Sequence, residues 1–387
     1  MSNTKNGTRV FYKVACAVIF LAFCFIYLFY YQADILAAGQ HIASGGKTHY
    51  EPVIETALIL VALKFLQNGI QAIVKLNGKF FSLTYFPSFV ILAMITDLPS
   101  DTNVVTLNAW IWGIPLLLVW GVVVFLARQY QSIESNTRGE GLLSQDMGIN
   151  FTLLLIMMIM VCLIGNDNRL FHQRLHVENL ISRKDYKGAV ISEESYKSDD
   201  KSLTMLRVYA LAQQRTIATE LFKAPLKGIT TIIPLHEGTY PVILPYKNLT
   251  EAYKRNADWQ LCEMLVRKNL DGFYTHLIAY YGLGDAQVSS DSTTSTTKNL
   301  KAQAKLNAYK DILLSVKYKK LPVHYQEALV LYNALKSQPN HTVIKQSYLN
   351  EALVRDFNAF RSASNEEKNK RYGKTYWWFY VLKTRRS

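Results

Sequence analysis

Four polar side chains repeat at helical spacing inside an otherwise apolar stretch of the chain. Lys64, Gln67, Asn68 and Gln71 stand at positions i, i+3, i+4 and i+7, which places them on one face of a helix. A lysine at the centre of a bilayer costs roughly 3 kcal/mol to insert, so this polar stripe must face other helices or water. Two interpretations stay open: a polar path or binding groove, or hydrogen bonds between helices that hold a bundle together.

Two carboxylates, Asp34 and Glu51, lie in the segment that precedes the polar stripe. A membrane glycosyltransferase could place a catalytic carboxylate in such a segment. A membrane-embedded enzyme or transporter for a lipid-linked or polymeric substrate would use these acids together with Lys64. The other interpretation is a solvated loop. The enzyme interpretation requires Asp34 or Glu51 to converge with Lys64 on one enclosed cavity.

Five consecutive aromatic residues occur near the C-terminus, where the sequence reads YWWFY between clusters of lysine and arginine. Trp377, Trp378 and Tyr380 would form an aromatic surface patch that rests on a membrane or grips an acidic polymer. In the alternative interpretation, the last helix docks its aromatic side chains inward and closes the fold.

The sequence predicts no catalytic, metal-binding or cofactor-binding residue. It has four cysteines, without a CxxC pattern or a Cys/His spacing typical of a metal site. His172 and His176 stand four residues apart, but no zincin pattern surrounds them. Walker, GxGxxG and GxSxG motifs do not occur. Enzymatic activity is left undecided, and the pattern favours a non-enzymatic protein without a cofactor.

Residues 1–165 are predicted to form a transmembrane helical domain. Five apolar segments are long enough to cross a bilayer as helices. They are Val14–Tyr31, Thr56–Val74, Phe80–Thr96, Leu107–Ala127 and Met147–Gly165. The second segment contains the polar stripe, so whether residues 56–74 fully span the membrane is left open.

The distribution of lysine and arginine favours all five crossings, with the N-terminus in the cytoplasm. In that arrangement the external loops before residue 166 carry only Lys47. The cytoplasmic flanks carry seven basic residues: Lys5, Arg9, Lys13, Lys75, Lys79, Arg128 and Arg138. An odd number of crossings places residues 166–387 outside the cytoplasm. We therefore expect a multi-pass protein of the cell inner membrane with a periplasmic domain.

Residues 166–387 carry almost all of the positive charge. They contain 34 basic and 21 acidic residues, a net charge of +13 out of +14 for the whole chain. Such a basic unit favours anionic partners. The expected partners are membrane lipids and a periplasmic protein or acidic glycan, and nucleic acid is not expected in this compartment.

The fold expected for residues 166–387 is all-α, because helical periodicity recurs and no strand pattern competes with it. The turn before Tyr186 and Ala189 resembles the middle of a tetratricopeptide repeat, and Ala218 marks a second unit 29 residues after Ala189. The usual spacing is about 34 residues, so the repeat would be degenerate. We predict about five transmembrane helices followed by an α-solenoid-like domain with a concave face.

Four stretches stand in order along the chain: FFSLTYFPSFVILAMITD (80–97), LTMLRVYALAQQ…ELFKAP (203–225), LPVHYQEALVLYNAL (321–335) and YGKTYWWFY (372–380). They resemble an uncharacterised multi-pass membrane protein family of Bacteroidota with a C-terminal tetratricopeptide-like helical domain. The chain departs from that family at Arg215 and Thr216, where glycines are usual, and the match is poor over residues 227–300. The resemblance implies several membrane spans and an external helical domain, and it implies no activity.

These observations predict an integral membrane protein that presents a basic helical-repeat domain outside the cytoplasm. Its role would be that of a scaffold or binding module. The membrane-embedded enzyme or transporter is the alternative.

Overall fold

The computed structural model describes residues 2–98, 109–133, 145–196, 200–224, 226, 229–234, 242–284, 298–336 and 344–383. Over these ranges the chain is helical and has no strand, which confirms the predicted all-α class. Arg138, one of the basic residues in the predicted topology, lies outside them. The chain forms two compact units: unit 1 comprises Met1–Asn179 and Pro241–Ile243, and unit 2 comprises Leu180–Tyr240 and Leu244–Ser387.

Unit 1 contains five helical segments that are long and apolar enough to cross a membrane, and each overlaps one of the five predicted spans. The second segment runs for 23 residues without a break. At 1.5 Å per residue it covers about 35 Å, more than the roughly 30 Å of a hydrocarbon core. Its length therefore suffices for a full crossing. The five segments are Phe11–Tyr31, Pro52–Val74, Gly78–Thr96, Ala109–Tyr130 and Gln145–Ile164.

The helices of unit 1 begin and end at local signals in the sequence. Pro52 stands in the first turn of its helix, where the missing N–H has no intrahelical partner to lose. Lys75 ends that helix in a left-handed conformation, with φ of 55°. The helices are α1 (Ser2–Ile26, continued by a π-helical turn, Tyr27–Tyr31), α2 (Ala33–Ala43), α3 (Pro52–Val74), α4 (Phe86–Thr96), α5 (Ala109–Ile133), α6 (Gln145–Ile164) and α7 (Arg169–Ser182).

The third span differs from the others because it has two parts. Gly78–Tyr85 forms a 3₁₀-helix, which we call the 3₁₀ segment, and α4 follows with Pro87 in its first turn. Rises of about 2.0 and 1.5 Å per residue give the two parts a combined length of about 32 Å. Within this span 67% of the residues are buried, against 11–28% in the other four. The third span is therefore the one that the other helices of unit 1 surround.

The division between the units falls after Asn179, within α7. The last apolar helix, α6, ends earlier, at Ile164. The predicted boundary at residue 165 separates a membrane domain from an external domain. That separation stays a prediction. Residues 166–179 belong to unit 1 by their packing.

Unit 2 is built from helices that pack against their neighbours in sequence and also against helices further along the chain. Helix α8 packs against α9, α12 against α13, and α15 against both α16 and α18, while α10 contacts α12 and α15. Short connections of this kind bring consecutive helices side by side. The helices are α8 (Tyr186–Tyr196), α9 (Lys201–Gln213), α10 (Ile217–Glu220), α11 (Tyr246–Arg255), α12 (Ala257–Val266), α13 (Leu270–Tyr281), α14 (Lys298–Lys319), α15 (Val323–Lys336), α16 (Glu351–Ser362), α17 (Asn365–Tyr372) and α18 (Tyr376–Lys383).

Candidate functional site

Two members of the polar stripe, Lys64 and Gln67, face the 3₁₀ segment. Lys64 Nζ donates to Gln67 Oε1 at 2.5 Å and to the Tyr85 hydroxyl at 3.5 Å, and it lies 5.3 Å from the Tyr85 ring centroid. Gln67 Nε2 donates to Thr84 Oγ1 at 3.0 Å. These bonds connect α3 to the third span. They are the contacts that the helix-to-helix interpretation of the stripe requires.

The other two members of the stripe have different surroundings. Gln71 Nε2 donates to the main-chain oxygen of Leu76 at 2.9 Å, close to the end of α3. Asn68 is exposed, whereas Gln67 is 1% exposed. The four side chains therefore do not act as one continuous surface. Gln67 belongs to the packed interior, Lys64 is half-buried, and Gln71 bonds the main chain just after α3.

The 3₁₀ segment receives polar side chains from two other helices of unit 1. Asn150 of α6 accepts a hydrogen bond from the Ser82 N–H at 2.7 Å and donates to the Gly78 oxygen at 2.7 Å. Trp120 of α5 donates its indole N–H to the Leu83 oxygen at 2.9 Å. An unsatisfied backbone group in hydrocarbon costs several kcal/mol, so these side chains explain how a non-α segment persists in an apolar unit.

The Asp34 carboxylate contacts α7 and not the polar stripe. Its Oδ2 lies 3.0 Å from Nδ1 of His176, and its Oδ1 accepts a hydrogen bond from Asn179 Nδ2 at 3.3 Å. The Asp34 side chain is 23% exposed and that of His176 is 46% exposed. These bonds connect α2 to α7 within unit 1. The sequence singled out both Asp34 and His176 but gave no reason to pair them, because 142 positions separate them.

Glu51 is exposed and precedes the first residue of α3. Lys64 follows it by 13 positions (64 − 51) on the same helix, a distance of about 20 Å. Glu51 and Lys64 are therefore too far apart to act on one substrate atom. The neighbouring Glu55 has the local structural role: its Oε1 accepts hydrogen bonds from Gln40 Nε2 at 3.1 Å and from the Glu51 N–H at 3.3 Å.

In unit 2, Glu327 of α15 forms hydrogen bonds with the first residues of the last helix, α18. Its Oε2 accepts a hydrogen bond from the Tyr376 N–H at 2.8 Å and lies 2.8 Å from Nδ1 of His324. Its main-chain oxygen accepts the indole N–H of Trp377 at 2.7 Å. His324 and Glu327 are 1% and 4% exposed. We call these four residues the Glu327 network.

The structure corrects the predicted aromatic surface patch at Trp377. This side chain is only 1% exposed, because its ring packs against Phe357 and Phe360 of α16, with centroid distances of 5.2 and 5.9 Å. Tyr376 is also buried, and its hydroxyl donates to the Leu265 oxygen at 3.1 Å. The last helix therefore docks aromatic side chains inward, as the alternative interpretation of the sequence requires.

The two remaining members of the predicted patch, Trp378 and Tyr380, are half-buried. Lys268 Nζ lies 5.0 Å from the Tyr380 ring centroid, within cation–π range. Binding of a membrane or an acidic polymer by Trp378 and Tyr380 stays a prediction. Among the residues that the structure describes, no group of three or more His, Cys, Asp or Glu side chains is placed to hold a metal ion.

Residues 296–383 match a protein family described as a family of unknown function (DUF6057). The matched residues include the Glu327 network, so its four members lie in the part of the chain that is similar to this family. Two of the four stretches quoted from the sequence, 321–335 and 372–380, also fall there. No curated protein and no solved structure matches the chain.

Proposed function

We propose that this chain is an inner-membrane protein whose unit 2 is a basic helical-repeat module outside the cytoplasm. Unit 2 would act as a scaffold or binding module for a periplasmic protein or an acidic glycan. Three features support the proposal: the five apolar helices of unit 1, a turn that recurs in unit 2, and the charge of unit 2.

The recurring turn is the observation that carries the proposal. Lys184, Arg215 and Lys268 each stand between two helices in the left-handed conformation, with φ of 63°, 59° and 61°. In each case the N–H of the next residue bonds the carbonyl five positions earlier, as Asp185 N–H does to the Leu180 oxygen. The N–H of the left-handed residue bonds the carbonyl three positions earlier. This is the Schellman pattern, here with a basic residue where glycine is usual.

Each of these turns passes directly into the next helix. Asp185 accepts a hydrogen bond from the Gly188 N–H, and Asn269 from the Gly272 N–H, both at 2.9 Å. These side chains cap the new helices. Stacked helix–turn–helix units form α-solenoids, which present an extended binding surface. The Schellman turn is common at helix ends and also occurs at Gly45 of unit 1. It therefore supports a repeat only together with the packing of α8 on α9 and of α12 on α13. The recurrence supports the degenerate repeat that the sequence predicts.

The charge of unit 2 favours an anionic partner. Residues 180–240 and 244–387 contain 32 basic and 19 acidic residues, a net charge of +13. Two of the acids are used internally: Glu327 in its network, and Glu263, whose Oε2 accepts the Ile232 N–H at 2.5 Å. Both carboxylates are at most 4% exposed, and one basic residue, Arg207, is 1% exposed. Burial of these three residues therefore removes slightly more negative than positive charge from the surface. A basic surface of this kind attracts polyanions over a range set by ionic strength.

The glycan version of the proposal is tested with the full chain in detergent micelles. We expect it to bind polygalacturonate and not neutral dextran. Binding should weaken as salt rises from 0.1 M to 1 M, because the screening length falls from about 10 Å to about 3 Å. Neutralising three exposed lysines of unit 2 together (K201Q, K254Q and K374Q) should lower the affinity. The matched control also removes three charges, at the exposed Lys47, Lys75 and Arg128 of unit 1 (K47Q, K75Q and R128Q), and should leave the affinity unchanged.

Absence of binding to polygalacturonate, or equal binding to dextran, would contradict the glycan version.

The protein version is tested with a photo-crosslinker at position 254 in intact cells. It predicts one covalent protein adduct, which disappears when the crosslinker is moved to Lys47. The enzyme or transporter alternative needs Asp34 or Glu51 beside Lys64. Over the residues that the structure describes, no contact favours this arrangement.

A further inference from the structure

Helix α14 carries a stripe of large apolar side chains on its exposed side. Tyr309, Ile312, Leu313 and Val316 are 61%, 62%, 45% and 45% exposed. They stand at positions i, i+3, i+4 and i+7, so they form one continuous face along two turns of the helix. Isolated exposed apolar residues are common on protein surfaces, but a contiguous stripe of four is typical of an interaction surface.

The opposite side of α14 packs against the rest of unit 2, around Tyr348. Tyr318 is 5% exposed and stacks on Tyr348, with ring centroids 5.3 Å apart. Asp311 accepts a hydrogen bond from the Tyr348 hydroxyl at 2.6 Å and forms an ion pair with Lys345 at 2.8 Å. The helix is therefore held by its polar and aromatic inner side. Its apolar stripe points away from that contact.

The charge of α14 favours one kind of partner for the stripe. The helix contains six lysines and one acid, Asp311, which is neutralised on the inner side by Lys345. At about 100° per residue, Lys310 flanks the stripe on one side and Lys319 flanks it on the other. Lys317 lies near Lys310, but its Nζ donates a hydrogen bond to the Gly282 oxygen at 3.2 Å, so it is not counted in the basic rim. Lysines on both edges of an apolar stripe are the arrangement of a helix that lies in a membrane interface: the stripe enters the acyl boundary, and the ammonium groups meet anionic headgroups.

We propose that the exposed face of α14 lies on an anionic phospholipid surface. The proposal commits to lipid because the same chain carries five helices that are apolar enough to cross a membrane, and because the basic rim of the stripe complements anionic headgroups. It goes beyond the proposed function, since recognition of a glycan or protein by unit 2 does not require it. It also assigns an interfacial role to an element other than the predicted aromatic patch of α18.

The test uses the full chain in nanodiscs, with a nitroxide spin label at position 312 (Ile312→Cys). The background variant is Cys162→Ala, because Cys162 is exposed and the other three cysteines are buried. The matched control is Ile191→Cys in α8, which is 59% exposed. Collision rates are measured with oxygen, which concentrates in lipid, and with a water-soluble nickel chelate. Nanodiscs contain either phosphatidylcholine alone or a mixture with phosphatidylglycerol.

With phosphatidylglycerol present, we expect the label at 312 to lose access to nickel and gain access to oxygen, while the label at 191 stays accessible to nickel. Replacing Lys310 and Lys319 by glutamine should restore nickel access at 312, and unchanged thermal unfolding would show that this variant is folded. Nickel access at 312 in both lipid mixtures would overturn the proposal. Protection of position 312 from both reagents would also overturn it, because it would mean that another protein segment or a second copy of the chain covers the stripe.

Discussion

The carboxylate of Glu327 accepts a hydrogen bond from the main-chain N–H of Tyr376 at 2.8 Å, although 49 positions separate the two residues. Tyr376 is the first residue of α18, so a buried acid from α15 stabilises the N-terminus of another helix. A negative charge at this end of a helix interacts favourably with the helix dipole and satisfies an N–H that has no partner within the helix. The bond joins two segments of the region that matches the family of unknown function.

Replacing Glu327 by alanine should destabilise unit 2 strongly. The change leaves the Tyr376 N–H and the His324 ring nitrogen without their acceptor in the interior, at a cost of about 2–4 kcal/mol in the free energy of unfolding. Thermal or urea unfolding of the full chain in detergent measures the change. The control, Glu366→Ala, removes an exposed acid and should cost less than about 1 kcal/mol. Equal losses of unfolding free energy in the two variants would contradict a stabilising role for the Glu327 network.

The two adjacent tryptophans of α18 should respond differently to truncation. Trp377→Ala removes a buried ring that packs on Phe357 and Phe360, and it should cost about 3–5 kcal/mol of unfolding free energy. Trp378→Ala affects a half-buried ring and should cost about 1 kcal/mol. The thermal unfolding midpoints of the two variants make the comparison. A larger loss for Trp378 than for Trp377 would contradict the inward docking of α18.

Asn150 should contribute more to the thermal stability of unit 1 than the exposed amide of Asn68 does. Asn150→Leu leaves the Gly78 oxygen and the Ser82 N–H of the 3₁₀ segment without their side-chain partner, at a cost of about 2–4 kcal/mol. The matched change Asn68→Leu replaces an exposed amide on α3 and should leave the unfolding midpoint nearly unchanged. The measurement is thermal unfolding in detergent. If Asn68→Leu lowers the unfolding midpoint as much as Asn150→Leu does, the hydrogen bonds of Asn150 to the 3₁₀ segment do not contribute to the stability of unit 1.

The ion pair of Asp311 with Lys345 should make a small contribution to the stability of unit 2 that is lost in acid. The hydrogen bond from Lys345, followed by that from Tyr348, lowers the pKa of the Asp311 carboxyl. Because the folded-state pKa is lower than the unfolded one, this contribution is present above the usual value of about 3.9 and is lost as pH falls through the folded-state pKa.

Asp311→Asn should therefore lower the unfolding midpoint slightly at pH 7, and the difference from the unchanged chain should shrink below about pH 4. In a Lys345→Gln background the same substitution should have less effect at pH 7. An effect of Asp311→Asn that is the same at pH 7 and pH 3 would contradict a role for its charge.

The predicted topology can be measured with reporters. Alkaline phosphatase fused after Ser387 should be active and green fluorescent protein at the same site dark, because an odd number of crossings places residues 166–387 outside the cytoplasm. A fusion after Lys79 should give the opposite result, since two crossings return the chain to the cytoplasm. Fluorescence at position 387 would overturn the external location of unit 2.

The sequence predicts the helices of this chain well and their polar contacts poorly. The five spans follow from the length of apolar runs, which is a local property. The 3₁₀ form of Gly78–Tyr85 depends on Asn150 and Trp120, and neither pairing can be read from the segment itself. The stretch HYQEAL around Glu327 has the composition of an ordinary helix surface. The partners of this buried acid are the nearby His324 ring and the Tyr376 amide, and the second of them, 49 positions away, cannot be read from this stretch.

The sequence also carries a local signal for the three left-handed turns of unit 2. Lys184, Arg215 and Lys268 are each followed by a residue that favours a helix N-cap, namely Asp185, Thr216 and Asn269. A basic residue before a capping residue, between two helical periodicities, marks all three turns. That these basic residues take the left-handed conformation could not be predicted, because glycine or asparagine is usual there.

The enclosed third span has a consequence for biogenesis. Gly78 and Ser82 leave the ribosome well before Asn150, their side-chain partner, has been synthesised. A translocon that releases helices into lipid one at a time would expose these backbone groups to hydrocarbon. We therefore expect the third span to stay beside the translocon, or beside a membrane insertase, until α6 has been synthesised. A nascent chain that stops before residue 150 should be a substrate for membrane quality control, even though it already contains four of the five segments that are long and apolar enough to cross a membrane.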